Sequence, residues 1–238
     1  MVYVTAGHPD IERSLSLLRA LEVSGADIIE VGVPFSDPMA DGPVIQASSQ
    51  RALANGMTYD KVLELIQRAR LTVPVVLFSY LNPVLAAGDD ALDRAARAGV
   101  QGLLITDLPV GSDTRLEQRL ASGPLAFIRL VAPTTPAERM KHIAKHGSGF
   151  VYLISRLGVT GARNQLPKEL SDTIARLRAA TTLPICVGFG VSTPEQAASV
   201  ARMADGVVVG SAIVRAADES VDRAAALARQ LRRAIDDA

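Results

Sequence analysis

Short apolar runs rich in β-branched residues recur along the chain: VYVTA (2–6), DIIEVGV (27–33), VPVVLFSY (73–80), VQGLLITD (100–107), LAFIRLVA (125–132), GFVYLIS (149–155), LPICVGF (183–189) and DGVVVGSAI (205–213). Continuous apolar runs of this length, rather than strict alternation, belong to strands covered on both faces, as in a parallel sheet. Between them the apolar positions follow the helical period, with Leu15, Leu18 and Leu21 on one face of residues 12–24 and Val62, Leu63, Leu65 and Ile66 on one face of residues 59–70. Helix starts are marked by Thr135-Pro136-Ala137-Glu138 and Ser192-Thr193-Pro194-Glu195, each with a capping hydroxyl, a first-turn proline and a glutamate three residues on. Gly25-Ala26-Asp27, Gly99-Val100-Gln101-Gly102 and Ala204-Asp205-Gly206 join helices to the strands that follow, a weak internal repeat. Eight strand and helix units in a chain of this size predict an α/β fold, a (β/α)8 TIM barrel forming one domain over 1–238. The site is then expected where strands end and helices begin, because the βα loops converge there.

Composition agrees with a large single core: 48% of the 238 residues are hydrophobic and 21% charged. With 25 basic and 25 acidic residues and no basic block, nucleic acid and anionic membrane have no electrostatic footing, and a small-molecule ligand fits better. The one cysteine, Cys186, permits no internal disulfide and reads as a small buried hydrophobe. No stretch has the form of a signal peptide or membrane span, so a cytoplasmic protein is expected.

Chemistry concentrates in DIIEVGVPFSDPMADGP, residues 27–43. Glu30 interrupts an apolar strand, where lost hydration would raise its pKa toward neutrality and fit it to give and take a proton. Asp41 precedes Pro43, the expected first residue of a helix running to Asn55-Gly56, whose N-terminus would favour the ionised form. Two carboxyls pushed apart in this way suit divided acid/base labour. The same residues also fit a structural reading, with Glu30 paired to a buried arginine and Asp41 merely capping the helix.

Further candidates lie at other strand ends: Tyr80 and Asn82, Asp107, Tyr152, Gly188 to Gly190, and Gly210-Ser211. Glycine loops after the seventh and eighth strands are a frequent phosphate site of barrels, although Gly188 and Gly190 could simply turn the chain; GFGVST lacks the third glycine of a dinucleotide fingerprint. SRLGVTGARNQLP (155–167) is long for a βα connection and could be a lid hinged at Gly158 and Gly161, or a solvated surface loop. His142 and His146 have i, i+4 spacing but no third ligand at a readable spacing and two lysines beside them, so no metal is expected. His8 lies in the first βα loop, its role unreadable from type alone.

EVGVPFSDPMADGP, YLISRLGVTGA, VGFGVST and GSAIV, in this order, closely resemble the tryptophan synthase alpha subunit family across essentially the whole chain. The resemblance implies a lyase cleaving indole-3-glycerol phosphate to indole and glyceraldehyde 3-phosphate, with the indole passing to a beta subunit that carries pyridoxal phosphate in an alpha2-beta2 heterotetramer. No cofactor is implied in this chain. Glu30 matches the general acid/base, Asp41 the partner of the indole N–H, and Thr160 a lid residue that bonds the second carboxylate. Gly161, Gly190, Gly210 and Ser211 match a phosphate cradle; Phe189, Tyr152 and Tyr80 match pocket walls, with ordinary packing still open for Tyr80. Pro34, Asp37, Pro38, Asn82 and Pro83 match loops presented to the beta subunit. The family's helix before strand one, which closes the barrel floor, has no counterpart ahead of the first strand here, so an exposed apolar floor and reduced stability are expected, and Tyr3 stands where a phenylalanine is common.

Overall fold

The computed structural model describes residues 1–155, 169–188 and 190–238. Within them the chain alternates strand and helix: β1 (Val2–Thr5), α1 (Ile11–Val23), β2 (Ile29–Gly32), α2 (Pro43–Ala54), α3 (Tyr59–Ala69), β3 (Val75–Ser79), α4 (Leu81–Ala86), α5 (Ala91–Arg97), β4 (Val100–Ile105) and α6 (Thr114–Ala121). It continues through β5 (Ala126–Val131), α7 (Ala137–Lys145), β6 (Val151–Ile154), α8 (Leu170–Arg178), β7 (Ile185–Gly188), α9 (Pro194–Ala201), β8 (Gly206–Val207), α10 (Ser211–Glu219) and α11 (Val221–Asp236). The eight strands are parallel and hydrogen-bonded in chain order. A bridge from Val2 to Val209, with Tyr3 N–H donating to Val209 O at 3.0 Å and Val209 N–H to Met1 O at 3.1 Å, joins the last strand to the first. The expected barrel is therefore the observed fold.

The period-2 geometry of the strands sorts side chains into two cores. Ile29, Val31, Val75, Leu77 and Leu103 point outward to the helices, while Tyr3, Val76, Phe78, Leu104, Ile128, Tyr152 and Cys186 fill the interior. Register carries the same facing from strand to strand, with Tyr3 opposite Glu30 and Glu30 opposite Val76. Glu30, between two outward residues, thus faces inward.

Helices form where caps and apolar stripes coincide. Asp10 accepts the Arg13 amide at 2.8 Å to start α1, which buries Leu15, Leu17, Leu18 and Leu21; Gly25, at φ 94°, ends it in a conformation glycine alone adopts without strain.

Three local expectations shift. At α9 the N-cap is Thr193 rather than Ser192, and the reciprocal partner is Gln196 rather than Glu195, so the capping box stands one residue later. Thr135 does not cap α7: its hydroxyl accepts the Ala132 amide at 3.1 Å and holds the preceding loop, leaving Pro136 at the N-cap. The eighth strand is far shorter than residues 205–213, because Gly210 turns the chain and Ser211 already begins α10.

Candidate functional site

A cavity opens at the C-terminal face of the barrel, lined from within by Tyr3, Glu30, Phe78 and Tyr152, on one side by Asp41, Gly42 and Ile45, and toward its mouth by Gly190, Val191, Ser192, Gly210, Ser211, Ala212 and Arg215. Of the residues singled out in the sequence, this brings Glu30, Asp41, Tyr152, Gly190, Gly210 and Ser211 to one place. Tyr80 reaches the site indirectly, through Asp41. Thr160, Gly161 and Phe189 lie outside the described residues.

Glu30 is 0% exposed, and neither carboxyl oxygen has a hydrogen-bond partner among the described residues. Among the described residues no arginine pairs with it, contrary to the structural alternative. Burial pushes its pKa up to about 8, so near neutrality it is mainly the protonated acid. A buried carboxyl left without a partner is destabilising unless something else engages it, and the open side of this one is the cavity.

Asp41 corrects the expectation that a helix terminus keeps it ionised. The N-cap of α2 is Gly42, with no side-chain cap, so Asp41 lies one residue outside the helix and does not bond its amides. It is buried, and burial lifts its pKa to about 6, opposed by a hydrogen bond from the Tyr80 hydroxyl to Oδ2 at 3.0 Å. The two carboxyls still differ in the expected direction, about 8 against about 6.

Two tyrosines wall the cavity, each beside a glycine on the next strand. Tyr3 lies against Gly32 and Tyr152 against Gly188, where a β-carbon would collide with the tyrosine ring or hydroxyl. Tyr3 also meets Phe78 edge to face, with ring centroids 5.2 Å apart. The result is a narrow, largely aromatic slot over Glu30, suited to a flat apolar group.

At the mouth, Gly190 has φ 110°, which lets the loop after β7 pass close to the cavity, and Gly210-Ser211 begins α10. The partly positive N-terminus of that helix faces the cavity and suits an anion.

Residues outside the cavity fall into place. Asp107 accepts the Leu81 amide at 2.7 Å and steadies α4. His8 is buried, with Nε2 2.9 Å from Asp218 of α10, and burial lowers its pKa. The rings of His142 and His146 lie 4.5 Å apart, tilted by 50°; among the described residues no group of three histidine, cysteine or acidic side chains could hold a metal. Pro34 is buried, whereas Asp37 and Asn82 are exposed. Sequence reasoning missed Ile45, Phe78, Val191, Ser192 and Arg215; Phe78 was findable, being two residues after inward-facing Val76.

Fold and cavity define the class: a (β/α)8-barrel enzyme whose C-terminal face sets a buried carboxyl and a more acidic one beside an aromatic slot and the N-terminus of a helix. The family model described as "Tryptophan synthase alpha chain" matches residues 1–237. The chain is 48% identical over 223 residues to the tryptophan synthase alpha chain of Desulfatibacillum aliphaticivorans, covering 92% of this chain and 84% of that one. It is 47% identical over 241 residues to that of Gloeobacter violaceus, covering 98% and 87%. Among solved structures, tryptophan synthase of Mycobacterium tuberculosis superimposes with a TM-score of 0.91 at 38% identity, covering 98% of this chain and 91% of that one. Tryptophan synthase subunit alpha of Legionella pneumophila gives 0.89 at 38% identity, covering 100% and 92%. The chain belongs to the tryptophan synthase alpha chain family. It is a lyase of tryptophan biosynthesis, cleaving indole-3-glycerol phosphate to indole and glyceraldehyde 3-phosphate.

Proposed function

We propose that Glu30 moves the protons in this cleavage and that Asp41 stabilises the charge they create. The reaction needs one proton delivered to the indole carbon that carries the glycerol chain and one removed from the hydroxyl on the adjacent chain carbon. Protonated Glu30 supplies the first, and the indole nitrogen becomes cationic. The resulting Glu30 carboxylate takes the hydroxyl proton as the carbon–carbon bond breaks; its electron pair restores the indole ring and the hydroxyl carbon becomes the aldehyde. Glu30 finishes protonated, ready for the next cycle. Asp41, ionised above about pH 6, accepts the indole N–H and offsets the transient positive charge. Tyr3, Phe78 and Tyr152 hold the ring, while Gly190, Gly210 and Ser211 offer backbone amides to the phosphate. One observation carries this reading: the wholly buried carboxyl of Glu30, without a partner among the described residues, facing the cavity.

None of these steps calls on a cofactor in this chain. The reading extends to a beta subunit, carrying pyridoxal phosphate, that receives the indole in an alpha2-beta2 complex in the cytoplasm. Its docking surface is the face around exposed Asp37, Met39, Asn82 and Leu85, on the loops after β2 and β3. No helix among the described residues is long and apolar enough to cross a membrane.

The test is turnover of indole-3-glycerol phosphate by Glu30→Gln and Asp41→Asn, with circular dichroism to establish folding. Each variant loses on the order of 10²-fold or more in kcat. Near-normal cleavage by either folded variant removes its assigned role.

A further inference from the structure

The cavity presents two carboxyls to a substrate that itself carries a phosphate dianion, and among the described residues only one cation lines it, Arg215. Arg215 lies on α10, four residues after Ser211, so the two share a helix face. Long side chains on a helix lean toward its N-terminus, which carries the Arg215 guanidinium back over the turn that begins at Gly210-Ser211. The nearby acids on this helix are engaged elsewhere: Asp218 lies 2.9 Å from His8, and Glu219 lies 3.1 Å from Arg223. Arg215 itself forms no ion pair or hydrogen bond among the described residues, and it is exposed at the cavity mouth rather than packed in the core.

We propose that Arg215 is the charged contact for the substrate phosphate, adding a guanidinium to the amides of Gly190, Gly210 and Ser211 and so setting the preference for phosphorylated over unphosphorylated indole-glycerol. This rests on the reading of the cavity mouth as the phosphate end of the site. The physical need is plain. Helix-end amides supply only a partial positive charge, whereas a guanidinium supplies a full one and offers two parallel N–H donors to phosphate oxygens. Its exposure also suits it to attract the dianion before the indole ring has entered the slot, a contribution that salt screens.

The experiment compares the wild-type chain with Arg215→Gln and Arg215→Lys. It uses steady-state cleavage of indole-3-glycerol phosphate at increasing ionic strength, with calorimetric binding of glycerol 3-phosphate and of indole. In Arg215→Gln, KM rises and glycerol 3-phosphate affinity falls by about tenfold. The salt dependence of kcat/KM flattens, and indole binds as before. Arg215→Lys restores much of the phosphate affinity because the charge returns. If Arg215→Gln binds glycerol 3-phosphate as tightly as the wild type, with an unaltered salt slope, the assignment of Arg215 is overturned while the phosphate end stands. If the wild-type chain itself does not bind glycerol 3-phosphate, the reading of the cavity mouth falls, and this proposal with it.

Discussion

The Tyr80 hydroxyl donates to Oδ2 of Asp41 at 3.0 Å while accepting the Ala40 amide at 2.9 Å. A single phenol at the end of β3 thus ties the loop after β2 to its own strand and holds the carboxylate at the cavity edge. The bond favours the ionised form of Asp41 against the burial that raises its pKa. Tyr80→Phe removes it, so the pKa of Asp41 moves further up and the acid limb of the kcat/KM profile moves to higher pH, by roughly half a unit to one unit. An acid limb that stays in place shows that Asp41 does not set it.

Activity across pH follows from the two carboxyls. Asp41 must be ionised and Glu30 protonated when substrate arrives, so kcat/KM of the chain rises through about pH 6 and falls through about pH 8. Steady-state rates measured across this interval give a bell; a flat profile contradicts the division of labour.

Glu30 also lowers stability at neutral pH. Its folded pKa of about 8 exceeds its ordinary value of 4.5, so between these values the folded state holds a proton that the unfolded state has released. Stability therefore falls as pH rises through that window. Glu30→Gln cannot ionise and escapes this loss: at pH 7 the variant gains on the order of 3 kcal/mol relative to the wild type, and the gain vanishes near pH 4.5. Urea denaturation at both pH values checks it. An equal difference at the two values shows that ionisation is not the cause.

Gly32 leaves the space that Tyr3 occupies. A β-carbon there meets the Tyr3 ring, and its carbons cannot retreat within a packed barrel interior. Gly32→Ala costs about 1–3 kcal/mol. The same substitution in a Tyr3→Val background costs at least about 1 kcal/mol less. Additive costs in a double-mutant cycle indicate that the collision is relieved some other way.

Arg129 and Glu117 form a buried pair at 2.7 Å, with side chains 4% and 6% exposed. Arg129 also donates to the carbonyls of His146 and Leu108, and Glu117 accepts the amides of Gly111 and Asp113. The pair therefore fastens β5 to α6 and to the loop after β4. Glu117→Leu, which strands the guanidinium, costs about 3–5 kcal/mol, whereas adding Arg129→Met recovers part of that loss. Chemical denaturation of the two singles and the double decides the point.

Much of this was legible in the residues alone. Strand positions, the barrel order and the loops after the seventh and eighth strands follow from local period and glycine placement. Phe78 and the inward facing of Glu30 follow from alternation once the strands are assigned. The setting of Asp41 was not legible, because Pro43 announces a helix start but does not say which neighbouring residue caps it. Pro34 reads as a loop residue and is buried, and Arg215 reads as an ordinary surface arginine.

By itself the sequence determined the eight-unit barrel, the face that carries the site, and the presence there of two carboxyls and a glycine-lined helix end, because each is set by spacings within one segment. Only the tertiary structure decided that Glu30 has no partner among the described residues, that Tyr80 holds Asp41, and that Arg215 lines the cavity while Asp218 and Glu219 are engaged elsewhere. Hydration, pKa and pairing depend on groups contributed by strands and helices far apart in the chain, and no local pattern encodes which of them meet.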